Sequence, residues 1–271
     1  MATRGNRDTS EKDIINDRIV NRSTFEGLSP GQQQQYYTEN GFVLLPEVVS
    51  PEQMERIAEE AGGSERYDFD EDWPGPALEG LIANPGLLGL VRRCYGELRF
   101  FKAVYAEWRE PNEATVHMGR QRLHRDYTPD PEGGDFRNSC ASWCNVGHYL
   151  IDLEADEGPL WVVPGSHQLA WTVERSDLEQ LAGDARMVLA KAGDAVMFHN
   201  RTIHAGGVMR SGRPRPSVFL SYRPAWAAPL GTVPEWPAHI VEQAAPELRP
   251  LLAGQNDGAC VDAWGIVQDR R

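Results

Sequence analysis

From residue 98 to residue 223 the chain is written in short apolar or alternating runs separated by turn residues, and this texture limits the fold more than any other feature. The runs are Arg99–Trp108, Ser142–Leu153, Leu160–Val163, Arg186–Leu189, Ala195–His199 and Ser217–Tyr222. Side chains alternate between the two faces of a strand, so short runs with Gly and Pro breaks fit the strands of a sandwich or barrel. Asp130-Pro131-Glu132-Gly133-Gly134 and Asp156-Glu157-Gly158-Pro159 are strong turn sequences. Ser166–Ala182 reads as an insertion that is partly helical.

Ahead of this block the pattern is helical. Ser29-Pro30 opens a helix that runs to Asn40, where Gly41 closes it, and Phe42–Leu45 reads as a short buried strand. Ser50-Pro51-Glu52 repeats the opening signal for a helix ending at Gly62-Gly63. Residues 64–80, acidic and punctuated by Pro and Gly, read as loop, and Asn84-Pro85 to Tyr95 as a third helix with Leu87, Leu88, Leu90 and Val91 apolar. The tail from Pro224 is rich in Pro and Trp and then carries an acidic, helix-like piece ending near Leu252.

Net charge narrows the partners. With 40 acidic against 27 basic residues, the chain carries −13, a surface that repels nucleic acid, anionic membranes and bulky polyanions. No apolar run approaches a membrane span, and Met1–Arg22 lacks the apolar stretch of a secretory signal. Cys94, Cys140, Cys144 and Cys260 form neither a disulfide framework nor a zinc pattern. Cys140 and Cys144 read as buried thiols, with a redox pair or metal ligands as the competing reading, and a reducing cytoplasm is the expected location.

The chemistry centres on Arg122-Leu123-His124-Arg125-Asp126. Read as a strand, it sends Arg122, His124 and Asp126 to one face, where an imidazole and a carboxylate can grip one metal ion. A third ligand must come from elsewhere, and His204 is the best candidate. Two His and one carboxylate, with positions left open, is the facial triad of non-haem Fe(II) oxygenases. Among other histidines, His199 reads as packing beside its strand, His167 as structural, and His117 as part of the loop before the ligands. His148 is either a core histidine or a pocket residue. Arg122 has two readings, an anion partner for cosubstrate or substrate and a salt bridge to a barrel carboxylate.

The order of these pieces resembles the phytanoyl-CoA dioxygenase family. It is carried by His124-x-Asp126, by Gly158-Pro159-Leu160-Trp161-Val162-Val163-Pro164-Gly165-Ser166-His167, by Gly193-Asp194-Ala195-Val196-Met197-Phe198, and by His204 with later arginines. The opening from Pro30 through Phe42–Leu45 to Pro51-Glu52 is also similar, so the likeness covers roughly residues 28–223. It implies a mainly β fold with flanking helices, a double-stranded β-helix or jelly roll. The expected organisation is a flexible arm at 1–27 and a single oxygenase domain at 28–271, made of helices 28–97, a jelly-roll core 98–223 and an extension 224–271.

The resemblance further implies Fe(II) held by His124, Asp126 and His204, with 2-oxoglutarate and O2 as cosubstrates and ascorbate a possible help in vitro. Arg215, eleven residues beyond His204, stands where the family places the arginine for the distal carboxylate of 2-oxoglutarate. Ser217 would add a hydroxyl to the same carboxylate, and Arg213 is the competing arginine. A guanidinium grips a carboxylate with two parallel hydrogen bonds, which a lysine cannot reproduce. Tyr127 and His148 are candidates for the substrate wall. Related halogenases replace the carboxylate ligand by Ala or Gly, so Asp126 disfavours halogenation. The implied activity is oxidation of an unactivated C–H bond in a small organic molecule, with hydroxylation, cyclisation, epimerisation or desaturation as outcomes, in secondary-metabolite biosynthesis. An acyl-CoA hydroxylase and a non-catalytic metal-binding jelly roll are the alternatives. The expected partner is a small molecule, not nucleic acid or membrane, and the expected state a monomer or homodimer.

Overall fold

The computed structural model describes residues 17–61, 66–68, 75–108, 123–127, 141–170, 175–227, 235–255, 260–261 and 267–268. Its first helix, α1 (Pro30–Asn40), is framed as the sequence predicts. Ser29 and Gln32 exchange hydrogen bonds between side chain and backbone, Pro30 fills the first turn, and Gly41 ends the helix in the left-handed region at φ 77°. Ser50 caps α2 (Pro51–Glu60), and Asn84 caps α4 (Pro85–Tyr95) by accepting the Leu87 N–H.

Between them the sequence reading needs correction. Part of the stretch expected to be loop is helix α3 (Pro76–Ile82), and residues 66–68 pair as a strand. The helix has a Pro in its first turn and buries Leu78, Leu81 and Ile82 completely. That i, i+3, i+4 stripe was present but overshadowed by the acidic, Gly- and Pro-containing residues before it.

Among the described residues, nine strands build two antiparallel sheets. The larger holds β1 (Phe42–Leu45), β2 (Arg66–Asp68), β3 (Leu98–Trp108), β4 (Cys144–Tyr149), β7 (Ala195–His199) and β9 (Arg215–Pro224), in the order β1-β7-β4-β9-β3-β2. The smaller holds β5 (Leu160–Val162), β6 (Arg186–Val188) and β8 (His204–Gly206), in the order β6-β5-β8. A separate hairpin-like pair joins β10 (Cys260–Val261) to β11 (Val267–Gln268). The two sheets with their helices form the jelly roll, mainly β with flanking helices, that the sequence predicts.

Register decides what each face meets. Cys144, Val146 and His148 on β4 lie opposite Tyr222, Leu220 and Val218 on β9, and these side chains turn toward the helices. Tyr222 donates its hydroxyl to the Ile82 carbonyl of α3 at 2.9 Å, and Tyr37 of α1 bonds Tyr95 of α4, hydroxyl to hydroxyl, at 2.6 Å. The main core therefore fills the gap between the larger sheet and its helices and continues between the sheets. A smaller core of Leu123, Trp161, Val163, Ala185, Met187, Ile203 and Ala205 lies behind the smaller sheet. Residues of helix α5 (Arg175–Leu181), Leu178 and Leu181, pack on that smaller core.

The tail is also built into the fold. Helices α6 (Ala238–Gln243) and α7 (Arg249–Leu252) bury Ile240, Leu251 and Leu252, and Trp236 stacks on Phe100 at 5.7 Å. Cys144 is a buried free thiol and Cys94 a half-buried one, whereas Cys140 lies outside the described residues. No helix among the described residues is long and apolar enough to cross a membrane.

The expected arm at 1–27 also needs correction where it is described. Ile19 bridges to Met187, Phe25 is buried, and the Arg22 guanidinium grips Asp194 with two hydrogen bonds of 2.8 and 2.9 Å. Asp194 is fully buried and also accepts the N–H groups of Glu47 and Lys191 at 3.0 Å. A buried carboxylate needs that many donors to offset the loss of water. The neighbouring Gly193 is at φ 86°, and a Cβ there would lie 2.4 Å from the Val49 carbonyl oxygen. The Gly-Asp pair thus locks the start of β7 to the N-terminal segment.

Candidate active site

His204 opens β8, and the loop before it leaves the imidazole little freedom. Thr202 donates its hydroxyl to the Gly41 carbonyl at 2.7 Å, and Ser166 Oγ accepts the Ile203 N–H at 2.8 Å while donating to the Val163 carbonyl at 2.6 Å. The Pro-Gly-Ser-His turn is therefore a brace for the histidine strand: Gly165 takes φ 75°, Ser166 pins Ile203, and His167 Nε2 meets the Thr38 carbonyl at 3.0 Å. His204 Nδ1 lies 2.9 Å from the Thr202 carbonyl, which can only accept. The proton is thus on Nδ1, and Nε2 keeps a lone pair for a metal.

His124 is tied to His204 directly. The two residues exchange N–H to carbonyl bonds of 2.9 Å in both directions, and the Asp126 N–H reaches the Asn200 carbonyl at 3.2 Å. Alternation then works as expected. Leu123 is buried in the smaller core, and Arg125 turns to the carbonyls of Ser166 and Ala170 at 2.9 and 2.6 Å. His124 and Asp126 go the other way. Asp126 Oδ1 lies 3.4 Å from His204 Nε2 and 3.9 Å from His124 Nε2. The three ligand atoms fall within 4.8 Å of one another. First-row metal bonds of about 2.1 Å at right angles put ligand atoms about 3 Å apart, so a small tightening closes this set on an ion.

The carboxylate and the imidazoles are coupled electrostatically. Burial alone would raise the Asp126 carboxyl, but the hydrogen bond and charge of His204, with His124 and Asn145, bring it below its ordinary value. For His204 burial works against protonation, and Asp126 overrides it, so its pKa is raised. His124 is the open side of the set, with its side chain 55% exposed against 8% for His204.

The remaining candidates separate by geometry. Arg215 is the first residue of β9, buried, and donates to the Gly158 carbonyl. Gly158 is at φ 69°, and a Cβ there would sit 3.0 Å from the Arg215 guanidinium. Ser217, two residues on, is fully buried and donates to the Ala106 carbonyl at 3.3 Å. Arg213, the rival, is half exposed and bonded to the buried Glu157 at 3.2 Å. Tyr127 is half-buried beside Trp143, ring to ring at 6.4 Å. Arg122 and His117 lie outside the described residues.

His148 is a correction. It lies on the helix-facing side of β4, fully buried among apolar neighbours, so it is not a wall of the metal pocket. His199 is likewise turned away, stacked on Tyr95 at 6.2 Å with Nδ1 accepting the Arg201 N–H. Trp161 belongs to the smaller core.

Asn145 is the residue the sequence reading missed. It sits on β4 with the opposite parity to His148, and its amide donates to Asp126 Oδ2 at 2.5 Å. A single amide at the opposite parity to His148 was the available signal.

Comparison with known proteins agrees with this geometry. The phytanoyl-CoA dioxygenase family model matches residues 69–217. An ectoine dioxygenase of Bordetella bronchiseptica is 24% identical over 281 aligned positions, covering 86% of this chain and 89% of the relative. Among solved structures, the non-haem alpha-ketoglutarate-dependent epimerase SnoN from nogalamycin biosynthesis superposes with a TM-score of 0.56 at 22% identity, covering 73% of this chain and 84% of its own. The carbocyclase SnoK from nogalamycin biosynthesis gives 0.54 at 22% identity, covering 75% and 87%. With the family model spanning more than half of the sequence, the chain belongs to the phytanoyl-CoA dioxygenase family and is an Fe(II)/2-oxoglutarate-dependent dioxygenase.

Proposed function

We propose that the protein oxidises an unactivated C–H bond of a small organic molecule in a biosynthetic route, with hydroxylation or a related radical outcome. The observation that carries this is the convergence of His124, Asp126 and His204, an intact set of two imidazoles and one carboxylate. In this reading the three residues hold Fe(II), and the bound metal with 2-oxoglutarate and O2 supplies the oxidising power. The protein's own share is to keep the ligands in the right protonation state and to exclude water. Asp126 enters as a carboxylate, and His204 presents Nε2 because Thr202 occupies Nδ1.

Arg215 and Ser217 hold the distal carboxylate of 2-oxoglutarate. Support comes from their shared face on β9, since residues two apart on a strand point the same way, and from the burial of both. Burial pushes the Arg215 guanidinium down, a cost that a bound carboxylate offsets. Ser217 would turn its hydroxyl from the Ala106 carbonyl to the ligand. Tyr127, following Asp126 and bordered by Trp143, forms part of the substrate wall. A net charge of −13 favours a small or weakly charged substrate over a multiply phosphorylated acyl-CoA. The epimerase and carbocyclase among the structural neighbours support a biosynthetic setting.

The cosubstrate assignment is tested by titrating 2-oxoglutarate against arginine variants. Removing one partner of such a pair costs about 2–5 kcal/mol, about thirty-fold to several thousand-fold in affinity. Arg215→Ala is expected to raise the 2-oxoglutarate requirement by that order with metal binding unchanged, and Arg213→Ala to change it little. A large shift at Arg213 with none at Arg215 would assign the other arginine.

A further inference from the structure

Asp126 does not face the metal pocket alone. Its Oδ1 is the oxygen near both imidazoles, while Oδ2 accepts the Asn145 amide at 2.5 Å. The Asn145 carbonyl in turn accepts the Ser221 hydroxyl at 2.7 Å. The order of the strands makes this chain of contacts possible. β4 and β9 are neighbours in the larger sheet, and Asn145 stands directly opposite Ser221, so the two side chains rise from the same face. Phe198, opposite Asn145 on the other side, packs its ring 4.7 Å from His204.

The chemistry fixes the direction of every bond. An ionised carboxylate only accepts, so the group 2.5 Å from Asp126 must be the Asn145 NH2 and not its oxygen. That leaves the amide oxygen turned toward Ser221, whose hydroxyl supplies the proton. With the hydroxyl in place a flipped amide would put oxygen against oxygen at the carboxylate. Ser221 is 5% exposed and its backbone is held between β3 and β4, so its hydroxyl has little room to wander.

We propose that Asn145, oriented by Ser221, is a positioning residue that reserves one oxygen of Asp126 and so makes the carboxylate a one-oxygen metal ligand. A carboxylate that bound through both oxygens would take a position that the facial triad leaves open for cosubstrate and O2. With Oδ2 engaged by the amide, only Oδ1 is offered. This inference rests on the reading of His124, Asp126 and His204 as metal ligands, and adds to it a residue pair that acts through Asp126.

The test uses anaerobic titration of the apo full-length protein with Co(II) and with Fe(II), read as dissociation constant and as the visible Co(II) spectrum. Neither readout needs turnover. The variants are Asn145→Leu, which keeps the volume and removes the amide, the pair Ser221→Val and Ser221→Thr, which differ by the hydroxyl, and Asp126→Ala as control. Loss of a group that orients a metal ligand typically weakens the metal by about 10- to 100-fold. Asn145→Leu is expected to show that loss together with a changed Co(II) spectrum, since the freed oxygen can close on the ion. Ser221→Val is expected to lose about tenfold, the low end of the same range, with Ser221→Thr restoring affinity and spectrum. Wild-type affinity and spectrum in Asn145→Leu, with Asp126→Ala losing the metal, would overturn the positioning role alone. Undiminished binding in Asp126→Ala would instead overturn the ligand reading beneath it. If Asn145→Leu fails to fold, the Val and Thr variants decide: equal affinity and spectrum in both overturn the proposal.

Discussion

Strand β4 carries two chemistries on its two faces. Cys144, Val146 and His148 turn to the helices and are fully buried, while Asn145, Gly147 and Tyr149 turn to the opposing sheet, where Asn145 reaches Asp126. The difference between the faces is a partner, not burial. His148 and His204 are both buried imidazoles, yet burial pushes His148 down to about 3, whereas Asp126 raises His204 against the same desolvation. A histidine on the helix side is a neutral packing group. The same residue on the inner side, with a carboxylate beside it, stands in a group of side chains that could hold a metal ion.

That contrast can be broken most severely on the inner side. His124→Ala, Asp126→Ala and His204→Ala are each expected to abolish Fe(II)-dependent turnover while leaving the fold intact, because the core of the jelly roll does not depend on metal in the way a small zinc domain does. Succinate release and thermal unfolding, measured on the same samples, check both halves. Full turnover in any one variant with iron still bound would remove that residue from the ligand set.

Next in size come substitutions on the helix side. Leu220 is fully buried opposite Val146, so Leu220→Ala leaves a cavity and is expected to cost about 2–5 kcal/mol of stability. Co(II) affinity of the folded protein is expected to stay at the wild-type value, since Leu220 and Ser221 point to opposite faces. Urea unfolding with and without metal measures the two effects separately, and a metal affinity that fell with Leu220→Ala would blur the distinction between the faces.

The smallest effect is a pH dependence. In the unfolded chain His148 binds a proton near pH 6.5, but in the folded protein burial holds it neutral down to about pH 3. Between those values the unfolded state binds more protons, so stability falls as the pH falls, by about 1.4 kcal/mol per pH unit for each such histidine well below 6.5. His199 has the same sign, also pushed down to about 3 mainly by its burial. His148→Leu is expected to remove one share of this slope. Urea unfolding of both proteins between pH 7 and pH 5 reads the difference, and parallel slopes would show that His148 gains a proton without cost.

Much of this was legible in the chain. The capping pairs at Ser29 and Ser50, the strand texture after residue 98 and the shared face of His124 and Asp126 rest on local patterns with a fixed period or cap, whereas His204, which the fold brings beside them, was reached through the order of motifs along the chain. The parts that were not legible depend on parity and on distant partners. His148 was left between core and pocket because a strand's period of two shows which residues share a face, not which face looks inward. Asn145 could be assigned only once β4 and β9 were in register with Ser221. The N-terminal segment read as a loose arm because the grip of Arg22 on Asp194 spans 172 positions of sequence. In this chain Gly193-Asp194 serves that buried pair and the turn into β7.

The most direct measurement is anaerobic addition of Fe(II) and then 2-oxoglutarate to the purified protein, followed in the visible. A weak charge-transfer band is expected only when both are present, lost in Asp126→Ala and His204→Ala, and displaced to higher 2-oxoglutarate concentration in Arg215→Ala. A wild-type protein that binds Fe(II) but shows no band at saturating 2-oxoglutarate, or a band that survives in Asp126→Ala, would contradict the assignment of this site.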